Sequence, residues 1–467
     1  MRIKRRLLNK LLLTTPLAMQ GASPAFAQND DAQAEFAKAK IDWKQASGQS
    51  LTIGLNKHPF TESLLPLIPE FKKLTGINIE YLVLPEDQYN TKLAADLSNQ
   101  RGEFSVIMCG AMRNWQYVSA DWILPLDEFL NNPKLTDLGW YKLDDFYPAL
   151  MAANRWNGKI GGGVGEGPIY SIPVLEESYI LAYRKDIFDQ YNIKVPTTIE
   201  EMAAAAAAVK KNAGIPGIVA RGTPSFGSMG TGFLSGLKSF TDDQWSELDG
   251  KLTAVLADPR SVKYTETWVD MIRDSGPPNW ANMQWYDAMG AFAAGQAGMI
   301  ADCDFFAAQY EDPDKSKVAG KVGYALLPVG PGGKTHSGLF TWALGLSRAT
   351  KNKEAAWLFL QWATAPHTLL NATVGYRNYN PSRMSVTNDP RVQAIMGPWG
   401  GGSYLKTVAK NLETAKIAWV PEPERPRLGD TWARALHEIY FKRMLAADAL
   451  KKADTEINRM LKEVGLK

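Results

Sequence analysis

The alternation of strand and helix patterns over residues 49–110 is the feature that most constrains how this chain folds. "QSLTIGLN" alternates apolar and polar residues as a half-buried strand does, and it stops at "KHPFTES". "SLLPLIPEFKKLTG" follows as an amphipathic helix closed by Gly76, and "INIEYLVL" as a second strand. Strand, helix and strand in this order imply parallel pairing with a right-handed crossover. "DQYNTKLAADLSNQ" is again helical, and "FSVIMCG" is a short buried strand. The loops at residues 56–60 and 109–115 therefore fall on one sheet edge, and ligands of open α/β sheets bind beside the carboxyl ends of strands.

A second α/β unit starts near "YSIPVLEESYILAYRKDIF", a strand pattern running into a helix start. "VPTTIEEMAAAAAAVKK" predicts a helix with Thr198 as N-cap, acids in its first turn and lysines in its last. "IPGIVAR" reads as a further strand ending at Arg221. The "GTPSFGSMGTGF" after it lacks the G-x-x-x-x-G-K-[ST] phosphate cradle, so flexibility or close backbone approach is its expected use. "KVGYALLPVGPGGKTHSGLFTWALGLS" predicts two apolar strands around a Pro/Gly turn. "NKEAAWLFLQWAT", "TWARALHEIYFKRML" and "DALKKADTEINRMLKEV" predict helices, and no repeat of fixed period emerges.

The amino-terminal end predicts export. "MRIKRR" is a basic n-region, "LLLTTPLAM" a short apolar h-region, and "AFA" at residues 25–27 an A-x-A cleavage signal, giving a signal peptide over 1–27 and a flexible stretch over 28–47. The h-region is too short to span a bilayer permanently. Arg5 and Arg6 raise a twin-arginine route, but "KRRLLNK" fits it only in part and a Sec-type signal is preferred. Loss of this segment, with five basic residues and no acid, takes the formal charge from +3 to about −2. No basic stripe is left to neutralise phosphates, which argues against nucleic acid as a partner. Two cysteines, Cys109 and Cys303, do not make a disulfide scaffold, and free buried thiols are expected. The 15 Trp, 17 Tyr and 17 Phe residues are mostly packing.

Several phrases together resemble the extracellular solute-binding proteins of ABC importers, in particular their carbohydrate-binding, maltose-binding-protein-like class. "IPVLEESYILAYRKDIFDQYNIKVPTTIEEM" resembles the segment that leaves the first lobe and opens the second. "FAAGQAGMIADCDFF" is similar to the F-x-x-G-x-x-A-M signature, with Gly298 where alanine is usual. "VGYALLPVGPGG" and "FTWALGLSRATKNKEAAWLFLQWAT" resemble the return through the first lobe. The resemblance implies a two-lobe periplasmic-binding-protein fold, each lobe a mostly parallel sheet flanked by helices, with residues 48–171 and 322–374 in lobe 1 and 172–321 and 375–467 in lobe 2. Hinges are expected near 170–174, 318–324 and 374–380. It also implies a periplasmic monomer that closes over a sugar or polyol without a cofactor and docks on a membrane permease.

A sugar offers hydroxyls, which need paired donors and acceptors, and C–H faces, which stack on rings. Asp302, Asp304 and Phe305, at the end of the buried strand through Met299 and Ile300, suit both needs. Strand-end positions add His58, Phe60, Arg113, Asn114, Trp115 and Arg221, while the resemblance adds Glu176 or Glu177, Tyr179, Trp285, Tyr286, Trp342, Arg377 and Asn378. Strand alternation lets only one of Glu176 and Glu177 face the cleft. Two alternatives stay open: a secreted glycoside hydrolase, since paired carboxylates beside aromatic rings also describe its cleft, and the same fold serving a non-sugar solute.

Overall fold

The computed structural model describes residues 30–229, 232–242 and 244–467, so the predicted signal peptide lies outside the described residues. Two five-stranded sheets organise the chain. Their strands are β1 (Ser50–Asn56), β2 (Asn78–Leu84), β3 (Val106–Gly110), β4 (Ser171–Pro173), β5 (Glu177–Arg184), β6 (Met299–Cys303), β7 (Val322–Leu326), β8 (Ser337–Phe340), β9 (Trp342–Leu346) and β10 (Ala415–Lys416).

The first sheet has the order β2-β1-β3-β9-β4. β1 pairs in parallel with β2 and β3, as the strand-helix-strand pattern requires. β9 returns antiparallel to both β3 and β4. Helix Lys353–Ala363 covers this lobe with Trp357, Phe359 and Trp362, all fully buried.

The second sheet is built on β5, which takes β6, β7 and β8 as antiparallel neighbours. A mostly parallel sheet therefore describes the first three strands of lobe 1 and not lobe 2. "IPGIVAR" makes only a single bridge, Val219 to Ile300. Its backbone runs beside the start of β6, with Gly298 N donating to Pro216 O and Val219 N to Met299 O, both at 2.9 Å, but Gly217 N turns to Ser275 O at 2.7 Å, and a Cβ on Gly217 would lie 1.9 Å from the Ala206 carbonyl oxygen of helix Ile199–Ala213. Thr198 caps that helix through Glu201 N, as predicted.

The hinge expected at 318–324 lies elsewhere. Residues 322–326 are β7 and pair with β5, with Val322 opposite Arg184, so they remain in the second lobe. The chain crosses to the first sheet at Thr341, between β8 and β9, and the Thr341 hydroxyl donates to Leu175 O at 2.7 Å. The first crossing runs through residues 174–176. A third connection sits against it, where Glu176 N donates to Asn380 O at 3.0 Å and Leu175 bridges Pro381.

The described part of the stretch expected to be flexible, residues 30–47, is not loose. Phe36, at the end of helix Asp30–Phe36, is fully buried with its ring 5.3 Å from Trp43 and 5.5 Å from Trp140, and the Trp43 indole donates to Phe36 O. Two large rings outweigh the polar residues around them. Phe36→Ala is expected to lower the unfolding free energy by about 3–5 kcal/mol in urea titration; a change under about 1 kcal/mol would make the segment peripheral.

Candidate functional site

The register of β5 against β6 assembles the site. Because the two strands are antiparallel, with Cys303 opposite Tyr179 and Asp302 opposite Ile180, the start of β5 meets the end of β6. Glu177, Tyr179, Asp302 and Cys303 thus share one end of the second sheet. From the first lobe, β1 delivers His58, which caps helix Pro59–Leu64 by accepting from Phe60 N at 3.2 Å. His58 Nε2 then faces Glu177 Oε1 at 3.5 Å across the lobes, both side chains being buried.

Arg221 holds Asp302 through two bonds, Nε to Oδ2 at 2.8 Å and Nη2 to Oδ1 at 2.6 Å. The guanidinium lies 5.7 Å from the Phe306 ring and also donates to Gly227 O. The Cys303 thiol donates to Glu177 Oε2 at 3.5 Å. Aromatic rings close the group: His58 is 5.7 Å from Phe305 and 5.8 Å from Trp342, and Trp285 is 6.3 Å from Phe305. Donors, acceptors and ring faces thus converge from both lobes, which suits a solute that presents hydroxyls and C–H surface.

Three groups that sequence reading passed over belong to the same region. Glu86 opens the helix after β2, half-buried; burial raises its carboxyl above the ordinary range, the Glu177 charge adds to this, and Arg113, His58 and Arg221 oppose it. Asn56, the last residue of β1, is fully buried with neither amide atom hydrogen-bonded. Both stand at strand ends: Asn56 opens the 56–60 loop that the sequence singles out, and Glu86 follows the end of β2, which carries the same signal. Arg425, buried over the Phe226 ring at 4.4 Å, approaches Arg113 from the second lobe; burial, then the Arg113 charge, lowers its guanidinium to about 9.

The remaining candidates lie apart. Phe60 and Trp115 are fully buried in the first-lobe core. Asn114 is tied by its Nδ2 to Ser171 Oγ at 2.6 Å. Arg377 is exposed and pairs with Asp312 at 2.5 Å, while Asn378 beside it is buried with both amide atoms unpartnered. Tyr286 is 54% exposed and edge-on to Trp285. Glu176 and Asp304 turn away from Glu177, as strand alternation requires. Asp304 accepts from Ser178 N at 3.2 Å and Ser178 Oγ at 2.6 Å, and Glu176 lines a pocket with Tyr147, Asn380 and Tyr404.

The chain belongs to the bacterial extracellular solute-binding protein family, whose model matches residues 57–367. It is 32% identical over 407 residues to an erythritol/L-threitol-binding protein of Mycolicibacterium smegmatis, covering 86% of this chain and 83% of the relative. It is 24% identical over 401 residues to a mannitol-binding protein of Pseudomonas aeruginosa, covering 83% and 87% of the two chains. The fold matches an ABC-transporter solute-binding protein of Agrobacterium radiobacter in complex with ribitol, with a TM-score of 0.76, 24% identity, and coverage of 89% of this chain and 99% of that one. The two-lobe architecture is thereby that of the periplasmic binding proteins.

Two measurements bear on this region. Burial raises the Asp304 carboxyl to about 6 and lifts Glu176 as well, with the Asp304 charge adding to it. Both shifts are upward, so the stability they confer is complete below the ordinary carboxyl range and is lost as pH rises through the raised value of each group, about 6 for Asp304. The melting temperature should fall between pH 4 and 7 by an amount equivalent to roughly 1–3 kcal/mol, and Glu176→Gln should flatten that fall; an unchanged slope in the variant would refute the assignment. Cys109 and Cys303 are free and buried. Alkylation without reductant should therefore add two labels in denaturant and none, within minutes, to the native protein.

Proposed function

We propose that this chain is the periplasmic component of an ABC importer: it takes one small polyol or sugar between its lobes and presents the closed form to an inner-membrane permease. The observation that carries the reading is the interlobe cluster in which His58 and Glu86 of the first lobe meet Glu177, Arg221 and Asp302 of the second beside Phe305 and Trp342. The relatives named for erythritol, threitol and mannitol binding support it. Hydroxyls of an acyclic polyol donate to carboxylate oxygens and accept from a guanidinium, so a row of them satisfies both members of each charged pair. The buried amide of Asn56 offers one more donor and acceptor at the same edge.

The protein acts after removal of the segment ending near Ala27, as a monomer, and leaves the solute's bonds intact. Asp302 has both oxygens engaged by Arg221, which leaves it poorly placed to protonate a leaving group. Ligand held between the lobes stabilises the closed state by contacts that the open state lacks.

A thermal-shift panel of tetritols, pentitols, hexitols, monosaccharides and disaccharides tests the reading. A true ligand at a hundredfold its Kd adds about 2.7 kcal/mol to stability. Silence across the whole panel would overturn the assignment. Arg221→Lys, which loses the two-pronged grip on Asp302, should weaken that ligand about 10- to 100-fold by calorimetry.

A further inference from the structure

A glycine-rich hairpin joins the two lobes. Its strands are Arg155–Trp156 and Val164–Ile169, and its tip over residues 157–163 reads "NGKIGGG". The base is fixed to the first lobe: Leu126 N donates to Ile169 O at 2.7 Å, and Ile169 N to Asp127 Oδ2 at 2.8 Å. The tip is held in shape from below. The buried Trp156 indole donates to the carbonyls of Lys159 and Gly162 at 3.1 and 2.9 Å, while Asn157 Oδ1 accepts from Lys159 N at 2.9 Å.

Gly161 carries the tip across to the second lobe. Its N–H donates to Pro421 O at 2.9 Å. Its φ is +78°, and a Cβ there would stand 2.5 Å from Glu247 Cγ and 3.2 Å from Leu252 Cδ2, so only glycine fits. Glu247 and Leu252 lie on the hairpin formed by Trp245–Leu248 and Lys251–Ala254. That hairpin is fastened to the carboxyl-terminal end of the chain through Leu252 N to Leu466 O at 2.7 Å and Ala254 N to Asn458 Oδ1 at 2.9 Å. Pro421 is followed at once by Glu422 and then by Arg425, the residue that approaches Arg113 across the cleft.

We propose that the 157–163 tip is a strap that fastens the lobes at the Arg113–Arg425 end of the cleft and so makes the site specific for one short solute, an acyclic polyol of four to six carbons or a single sugar ring. The proposal rests on the polyol reading above and narrows it. A longer oligosaccharide would have to leave the cleft through the gap that the strap fills. The contacts of Gly161 join surfaces of opposite lobes, so they exist only when the lobes are together, and they slow the release of whatever is enclosed.

The test uses erythritol, mannitol and maltotriose as probes on the full mature chain, on Gly161→Val and on a variant lacking residues 160–162. For the wild type, erythritol or mannitol should raise the melting temperature and maltotriose should not. Both variants should bind the effective polyol about tenfold more weakly, mainly through faster release, with a larger radius of gyration for the loaded protein by X-ray scattering. Wild-type affinity in both variants, or equal stabilisation of the wild type by maltotriose, overturns the strap and leaves the polyol reading standing. If no polyol or sugar stabilises the wild type, it is the polyol reading that fails. Hydrogen exchange on the unmodified protein then decides the strap alone: the Gly161 amide should exchange more slowly than that of Gly158 in the same tip, and equal rates overturn it.

Discussion

Everything in the cleft depends on how β5 is paired. It begins four residues after β4 leaves the first sheet and at once takes antiparallel neighbours, so the hinge segment is short and the register of the second sheet is set beside it. A slip of one residue would reverse the faces of Glu176 and Glu177. It would put the carboxyl that faces His58 into the pocket with Tyr147 and Tyr404, and move Tyr179 off its partner Cys303. The Thr341 hydroxyl on Leu175 O and the pairing of Glu176 with Asn380 brace the same few residues from two sides.

The polar groups gathered there are costly to bury. An ion pair such as Arg221–Asp302, almost free of solvent, is weak support for stability, since desolvation offsets most of the attraction and a well-packed apolar pair often does as well. Under the proposed function, this pair and the unpaired amide of Asn56 are groups that a hydroxylated solute satisfies. The Glu176–Asp304 pair is different. It sits on the far side of the crossover, among Tyr147 and Tyr404, with burial favouring its protonated form.

The fold was legible where a local pattern and its tertiary partner agree. The period-2 alternation of β1 and β2, the capping chemistry of helix Ile199–Ala213 and the apolar run of β3 each state one structure unambiguously. "IPGIVAR" pairs only briefly with β6 because Gly217 N is bonded to Ser275 O, a partner that only the tertiary fold reveals. The expected hinge at 318–324 failed because β7 has the pattern of any buried strand, and nothing local says which sheet it joins. At the site, strand ends led to His58, Arg221 and Asp302, which the fold gathers at the meeting of the two lobes. The same rule led to Phe60, Asn114 and Trp115, which the core claims, and it would have found Glu86 had the end of β2 been weighed equally. Arg425 carried no such signal, since it opens a helix far along the chain and comes within reach of the Arg113 charge only through the tertiary fold.

The seating of Phe36 and Trp43 on the first lobe has a practical consequence for anyone attaching a label or a lipid to the processed amino terminus. Only a few residues separate the predicted cut after Ala27 from a ring locked into the body of the protein. A tether joined there would hold the molecule by the face that carries those rings, with little slack to reorient, and would leave the second lobe as the half free to swing.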